Sequence, residues 1–191
     1  MQREQILAAA AQIFREKGYQ ATSMQDIADA VHLQKGSLYH HVRSKEEILV
    51  TLLDRALDLL IESMEEVLHS ALSPEDKLQA AMRAYADNIA VHSDLAAVFL
   101  LEYRNLSPRY RNRHVARRDR FEGLWRDLIR EGIRKGAFQK TDEKLVALAI
   151  LGVQNWMVTW YQPGGTMSAA ALAEFFSALF LRGLRSNHAS H

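Results

Sequence analysis

The sequence contains no cysteine, which excludes disulfide bonds, thiol nucleophiles and cysteine-ligated zinc sites. It has only three prolines, so few positions in the chain force a helix to break. The longest apolar run, residues 145–153, is shorter than the roughly 18 residues that a membrane span needs. The N-terminus also lacks the apolar region of a secretory signal. We therefore expect a cytoplasmic protein that does not enter a membrane.

Charge of one sign is also scarce in this sequence. The 24 basic and 23 acidic residues leave a formal net charge of +1. The first fifty residues balance as well, because their lysines and arginines are matched by aspartates and glutamates. Nonspecific affinity for DNA comes from Lys and Arg side chains that neutralise phosphates. If the N-terminal region binds DNA, the placement of its charges must therefore matter more than their excess.

What the sequence does have is helical periodicity. Apolar residues recur at spacings of three and four, and no stretch alternates as a strand does, so we predict an all-α fold. Ser23 with Asp26, and Ser44 with Glu47, have the spacing of capping boxes that begin helices. Gly18 is a typical helix stop. The predicted helices cover roughly residues 3–17, 23–30, 34–40, 44–70, 74–91, 93–105, 108–135, 142–161 and 168–184.

Two of the predicted helices, 23–30 and 34–40, are short and joined by a tight turn. This is the arrangement of a helix-turn-helix motif, whose second helix can lie in the major groove of DNA. The outer face of that second helix carries donors and acceptors for phosphates and base edges, among them Lys35 and Tyr39. The alternative is a plain three-helix bundle with Tyr39 in its core.

The run from Thr22 to Ile48, TSMQDIADAVHLQKGSLYHHVRSKEEI, closely resembles the N-terminal signature of TetR-type transcriptional regulators. The preceding Phe-x-x-x-Gly-Tyr segment, residues 14–19, matches that signature too. Two positions depart from the usual pattern. His32 stands where glycine is common and a positive φ is often needed, and Val42 replaces the commoner aromatic residue.

The resemblance implies that the partner is a double-stranded DNA operator. Gly36 would permit close approach to the duplex, and the bases would be contacted by Gln34, Lys35 and Ser37. The expected contacts to the phosphate backbone are Thr22, Ser23, Tyr39, His40 and Lys45.

The resemblance also implies the domain organisation. Residues 1–47 would form the DNA-binding domain, residues 48–187 a helical domain for ligand binding and dimerisation, and residues 188–191 a frayed tail. Members of this family form homodimers through their last two helices. The helix at 142–161 is apolar on nearly every side, which suits burial against a partner. Burial within one chain is the alternative.

An arginine-rich stretch suggests the kind of effector. Residues 104–120 hold seven arginines against one acid, and Arg binds phosphate in bidentate fashion. Together with residues 152–156 and 160–165, this stretch resembles the branch of the family that senses acyl-coenzyme A thioesters. A solvated basic face, paired with acids such as Glu102 and Glu122, is the alternative. The expected ligand contacts are Met82, Tyr85, Phe99, Tyr103, Arg104, Arg111, Trp125 and Trp156, although such apolar residues also build ordinary cores.

The sequence therefore predicts a transcriptional regulator, a repressor released from its operator by an acyl-CoA-like effector. A regulator that senses a drug or antibiotic is one alternative, and a helical enzyme or carrier without DNA binding is another. No nucleophile elbow or Gly-rich phosphate loop supports an enzyme, and no cofactor is expected. The eight histidines lack the spacing of a zinc site, so we predict no metal.

Overall fold

The structure, a computed structural model, describes residues 2–185. Across these residues the predicted all-α fold is confirmed, and the chain forms nine α-helices. They are α1 (Gln2–Lys17), α2 (Met24–Ala30), α3 (Lys35–Leu38), α4 (Lys45–His69), α5 (Pro74–Val91), α6 (Ser93–Ala97), α7 (Pro108–Arg134), α8 (Glu143–Trp160) and α9 (Ala169–Leu184). Between residues 2 and 185, no helix combines the length and apolar character that crossing a membrane requires. The tail predicted at 188–191 lies outside the described residues.

Side-chain caps fix the helix starts that the sequence predicts. Ser23 Oγ accepts a hydrogen bond from Asp26 N at 3.1 Å, and the Asp26 carboxylate accepts one from Ser23 N at 2.7 Å. Hydrogen bonds from Ser23 also hold the pKa of Asp26 well below its usual range. At the start of α4, Ser44 Oγ accepts from Glu47 N at 3.1 Å, and the Glu47 carboxylate accepts from Arg43 N at 2.8 Å. Both predicted starts are confirmed.

Two predicted helices differ from the structure. α3 is regular only over Lys35–Leu38, although tight turns continue the chain to His41, whose N–H donates to Leu38 O at 3.0 Å. The single helix expected over 93–105 is broken into α6, one π-helical turn at Val98–Glu102 and one 3-10 turn at Tyr103–Asn105. The apolar spacing did not predict these changes, because one turn of π or 3-10 helix scarcely alters it.

Packing divides the chain into two compact units. The first unit comprises Met1–Asp58 and His92–Arg117, and the second comprises Leu59–Val91 and Arg118–His191. The predicted boundary between residues 47 and 48 is therefore not a packing boundary, since His92–Arg117 belongs to the same unit as the predicted helix-turn-helix. The division into 1–47 and 48–187 stays a prediction about function.

The first unit packs around α1, which contacts α2, α6 and the π turn, and whose Phe14 is fully buried. Polar contacts join the N-terminal part of this unit to its later segment. The Arg15 guanidinium donates to Asp94 Oδ1 at 2.8 Å, and Gln20 Nε2 donates to Asn105 Oδ1 at 2.7 Å. The broken helix after α5 is thus part of the support of the helix-turn-helix.

The second unit is built around α5, which packs against α8 and α9. A buried ion pair links α5 to α7, with Lys77 Nζ 3.2 Å from a carboxylate oxygen of Glu131. Hydrogen bonds from Lys135 and then Lys77 lower the pKa of Glu131. Near the end of α7, a Cβ built on Gly132 would lie 2.1 Å from the Phe138 ring, so only glycine permits this close contact.

Candidate DNA-binding surface and effector site

The turn between α2 and α3 determines how α3 is held. His32 has a φ of 54°, and the N–H groups of Val31 and Leu33 both donate to Ala28 O, at 3.2 and 2.9 Å. A positive φ is uncommon outside glycine, and histidine tolerates it better than a β-branched residue does. The expectation that position 32 requires left-handed backbone is confirmed, and the turn forms without glycine.

α3 presents its polar side chains to solvent. Gln34 and Lys35 are exposed, whereas Leu38 is fully buried and anchors the helix. Tyr39 is 46% exposed and His40 is also exposed, which contradicts the alternative with Tyr39 in a core. This short helix therefore displays donors and acceptors of the kind that bind phosphates and base edges.

Gly36 and Ser37 lie in the middle of α3. No atom lies within 4 Å of a Cβ built on Gly36, so packing of the protein does not require glycine there. Glycine inside a helix costs roughly 0.5–1 kcal/mol relative to alanine. A close approach from outside the chain would explain a residue that weakens the helix without improving its packing. Ser37 is half-buried.

Lys45, a predicted phosphate contact, binds the protein itself. Its Nζ donates to the carbonyls of Tyr19 and Thr22 at 2.7 and 2.6 Å, and it lies 4.4 Å from the centroid of the Tyr19 ring. Desolvation lowers the pKa of Lys45. On the same turn of α4, the Glu46 carboxylate accepts from Ser107 N at 2.8 Å. Lys45 therefore holds the loop after α1 in place, and its contact with phosphate stays a prediction.

Thr22 and Ser23, also predicted phosphate contacts, lie at the end of that loop. Thr22 is buried, and its hydroxyl donates to Gly18 O at 2.8 Å. Ser23 is exposed, and its hydroxyl donates to the Asp26 carboxylate at 2.6 Å. Of these two side chains, only Ser23 lies at the surface.

Six of the seven arginines of the 104–120 stretch fall into two groups. In the first unit, Arg113 and Arg117 form ion pairs with Asp54 and Asp58 of α4, and Arg117 Nη1 lies 2.6 Å from Asp54 Oδ1. In the second unit, Arg120 pairs with Glu65 of α4 at 2.6 Å. The partners are therefore acids of α4 rather than the Glu102 and Glu122 named in the sequence alternative.

Arg104, Arg109 and Arg111 form the other group, because within residues 2–185 they make no ion pair with a carboxylate. Arg104 lies over the Tyr103 ring at 5.8 Å from its centroid. Arg111 donates from Nη2 to the carbonyls of Arg104 and Leu106, at 3.1 and 2.9 Å. Both predicted phosphate ligands of the effector are thus exposed cations with unused donors.

Phe99 and Tyr103, two predicted ligand contacts, lie on the π and 3-10 turns of the first unit. Their rings lie 6.0 and 6.1 Å from the buried ring of His114, measured between centroids. Within the described part of the chain, no group of three or more His, Asp or Glu side chains is placed to hold a metal ion. Phe99, Tyr103 and His114 therefore form an aromatic cluster in this unit.

Met82, Tyr85 and Trp125 are brought together in the second unit, where all three are buried. The Tyr85 ring lies 6.5 Å from Trp125 and 6.0 Å from Phe121, measured between centroids. The Tyr85 hydroxyl donates to Asn155 Oδ1, and burial raises its pKa. Aromatic rings that pack in this way form the core around a small cavity.

Trp156 is placed apart from that cluster, since its side chain is 66% exposed on the outer face of α8. Further large apolar side chains are exposed along α8 and α9. They are Leu145, Leu148 and Trp160 on α8, and Phe175 and Leu179 on α9. α8 is therefore not buried on every side in the single chain, and its exposed face has the apolar character of an interface.

Seven of the nine residues that line the cavity were not identified from the sequence, among them Phe121, Ser63 and Asn88. Phe121 lies four residues before Trp125 on α7, so helical spacing was a signal that would have found it. Nothing in the sequence marked Ser63 and Asn88 as cavity-lining residues, because polar residues on half-buried helices are common.

Comparison with known proteins identifies relatives of both halves of the chain. A family model described as bacterial regulatory proteins, tetR family, matches residues 6–52, and one described as tetracyclin repressor-like, C-terminal domain, matches residues 71–184. The HTH-type transcriptional repressor KstR2 of Rhodococcus jostii (strain RHA1) is 31% identical over 188 residues, which is 97% of this chain and 92% of that protein.

Two solved structures superpose on nearly the whole chain. PfmR from Thermus thermophilus, a TetR family transcriptional regulator, is 40% identical with a TM-score of 0.88, over 95% of this chain and 99% of that one. AibR, solved in complex with isovaleryl coenzyme A and operator DNA, is 26% identical with a TM-score of 0.85, over 94% of this chain and 97% of that one.

Proposed function

Because the chain belongs to the TetR family of bacterial transcription regulators, we propose that it is a homodimeric repressor that leaves its operator when an acyl-CoA binds. Family membership makes it a DNA-binding regulator and not an enzyme, which removes the helical enzyme or carrier from consideration. The observation that carries the proposal is α3, a short helix with exposed polar side chains that a positive-φ turn holds against α2.

In the proposed complex, α3 of each protomer enters the major groove of the operator. Gln34, Lys35 and Ser37 contact bases, while Tyr39 and His40 contact phosphates. Phosphate contacts set the position of the protein and base contacts set its specificity. Thr22 and Lys45 support this surface by holding the loop after α1, while Ser23 caps α2 and has the exposure that a phosphate contact needs.

Dimerisation is supported by the exposed apolar face of α8 and α9. Trp156 and Phe175, which are 66% and 60% exposed, would be costly to leave in water. A two-fold dimer buries the same patch on both protomers and presents two helix-turn-helix motifs to a pseudo-palindromic operator.

An acyl-CoA effector is supported by the complex of AibR with isovaleryl coenzyme A and by two features of this chain. The second unit has an aromatic core around a small, mostly apolar cavity, which matches an acyl group in chemistry and would have to widen to admit one. In the first unit, Arg104 and Arg111 have no acid partner within the described residues, and Arg binds phosphate in bidentate fashion. The two features lie in different units, so each needs its own test.

The effector is tested with operator DNA that the protein selects from a random pool. Gel shifts are run with acetyl-, octanoyl- and palmitoyl-CoA, and with free coenzyme A as the control. We expect at least one ester to weaken operator binding by about tenfold or more, and free coenzyme A to have little effect. Unchanged affinity with every chain length would contradict the acyl-CoA effector, and release by an uncharged drug would favour the drug-sensing alternative.

The arginines are tested by Arg104→Ala combined with Arg111→Ala. We expect the Kd for the active ester to rise about tenfold, because charge-assisted contacts to phosphate are lost. Arg134→Ala is the matched control, since Arg134 is exposed and has no ion pair within the described part of α7. An equal change in both variants would contradict the assignment.

A further inference from the structure

A cavity of about 10 Å³ lies in the second unit, lined by residues of α4, α5 and α7. Its walls are mostly apolar, and the lining residues that carry a polar group in the side chain are Ser63, Tyr85, Asn88 and Trp125. No charged side chain lines it. A space of this size takes one water-sized group, such as a single oxygen atom, and not a hydrocarbon chain.

Three of the four polar residues are already hydrogen-bonded to the protein. Ser63 Oγ donates to Leu59 O at 2.8 Å. Asn88 Nδ2 donates to Ala84 O at 3.0 Å and reaches Ser63 Oγ at 3.4 Å. The Tyr85 hydroxyl donates to Asn155, as described above. These donors are therefore used within the core.

The indole N–H of Trp125 is different. Trp125 is 1% exposed, and within the described part of the chain its Nε1 has no hydrogen-bond partner. Buried donors without a partner are rare in proteins, because leaving one unpaired is costly. An indole nitrogen can only donate, so the group that completes this site must be an acceptor.

Building on the proposed effector function, we infer that the second unit recognises a carbonyl oxygen on the acyl group itself. The effector is an acyl-CoA whose apolar part carries this oxygen away from the thioester, and the oxygen accepts a hydrogen bond from Trp125 Nε1. A thioester oxygen fits less well, because the charged coenzyme is attached beside it and the cavity offers no charge. The ligand enters by rearrangement of flexible side chains such as Met64.

A second buried polar side chain of this unit also lacks a partner among the described residues, although it does not line the cavity. Gln154 on α8 is 2% exposed, and neither its amide oxygen nor its amide nitrogen has a partner within residues 2–185. It adjoins Asn155, the residue that accepts from Tyr85.

The test compares binding of octanoyl-CoA with that of 5-oxo-, 6-oxo- and 7-oxo-octanoyl-CoA, which place one added carbonyl at different depths. Wild-type protein and Trp125→Phe are both titrated, and Trp160→Phe is the matched control. We expect at least one oxo ester to bind wild type about tenfold more tightly than octanoyl-CoA. Trp125→Phe should abolish that preference, whereas Trp160→Phe should keep it. Because each preference is a ratio measured in one protein, any general damage from the substitution cancels.

A second measurement needs no variant of Trp125 that binds ligand. The protein has three tryptophans, of which Trp125 is the buried one, so its indole N–H gives an NMR signal that exchanges slowly with solvent. The preferred oxo ester should shift this signal downfield, and octanoyl-CoA should shift it less.

The outcomes separate this inference from the function on which it rests. If octanoyl-CoA and the oxo esters bind equally, or if octanoyl-CoA shifts the Trp125 signal as much, a water or the thioester oxygen is the partner and the inference is overturned. The acyl-CoA effector survives that result. If no ester binds at all, the proposed effector itself fails.

Discussion

The DNA-binding surface on α3 and the core of the second unit are built in opposite ways. α3 buries Leu38 and leaves Lys35 exposed, and Tyr39 directly after the helix is exposed as well, so the functional side chains here contribute little to packing. In the second unit, Tyr85 and Trp125 are buried against each other and support both the fold and the proposed ligand contact. Substitutions can therefore separate function from stability at α3. In the second unit, a substitution separates function from stability only if it removes a polar group and leaves a ring of similar size to fill the core.

The largest effect should come from a change far along the chain from α3. Trp156→Arg combined with Phe175→Arg places charges on the exposed face of α8 and α9, which we propose to be the dimer interface. We expect monomers in analytical ultracentrifugation. Operator affinity should fall about 100- to 1,000-fold, because the helix-turn-helix of the second protomer no longer binds as part of the same molecule. Val91→Arg is the control, since Val91 is exposed and apolar but lies outside this face. Dimers that persist in the double variant would contradict the assigned interface.

A smaller effect that separates function from stability is expected at Gly36. Gly36→Ala should weaken operator binding about tenfold by keeping α3 from the duplex, an effect the size of one lost base contact. The free energy of unfolding should stay level or rise by up to about 1 kcal/mol, because alanine favours a helix. Gly123→Ala is the matched control, another helical glycine with open space around its Cβ. Equal operator affinity for both variants would show that the duplex does not approach Gly36.

The smallest effect should be one of stability alone, at Glu131 in the second unit. Glu131→Gln removes the ion pair with buried Lys77 and should lower the free energy of unfolding by about 1–2 kcal/mol at pH 7. Because the folded protein lowers the pKa of Glu131 from 4.5, this contribution is complete above about pH 4.5 and is lost as the pH falls through the lower, folded-state pKa. Denaturation curves of the variant and wild type should therefore converge in acid. Glu62→Gln, at an exposed residue of α4, should match wild type at every pH. A gap that persists in acid would assign the loss to packing.

The features that the sequence predicted well are local ones. Ser23, Asp26 and Ser44 act on atoms within a few residues, so their spacing was enough to predict the starts of α2 and α4. His32 belongs to the same class, because its φ is set by the turn in which it lies. The helix-turn-helix was predictable for this reason, since its caps and its turn lie within one continuous run.

The features that the sequence missed depend on residues far apart in the chain. Lys45 bonds to the carbonyl of Tyr19, and Arg117 pairs with Asp54, and neither partner could be named from spacing. Trp156 was misplaced for the same reason, because the sequence of an apolar helix does not show whether an aromatic residue faces the core or the surface. The helix-turn-helix could thus be predicted residue by residue, whereas for the ligand site the sequence predicted only the kinds of side chain that build it.

The central claim is that a few side chains on α3 and in the turn directly after it, and not overall charge, bind the operator. The most direct test is operator affinity of Lys35→Ala with Tyr39→Ala, beside Lys140→Ala, which removes the same charge from an exposed residue of the second unit. We predict a loss of about 100-fold for the α3 variant, with thermal unfolding and acyl-CoA binding unchanged, and near wild-type affinity for the control. Equal affinities for the two variants would contradict the account.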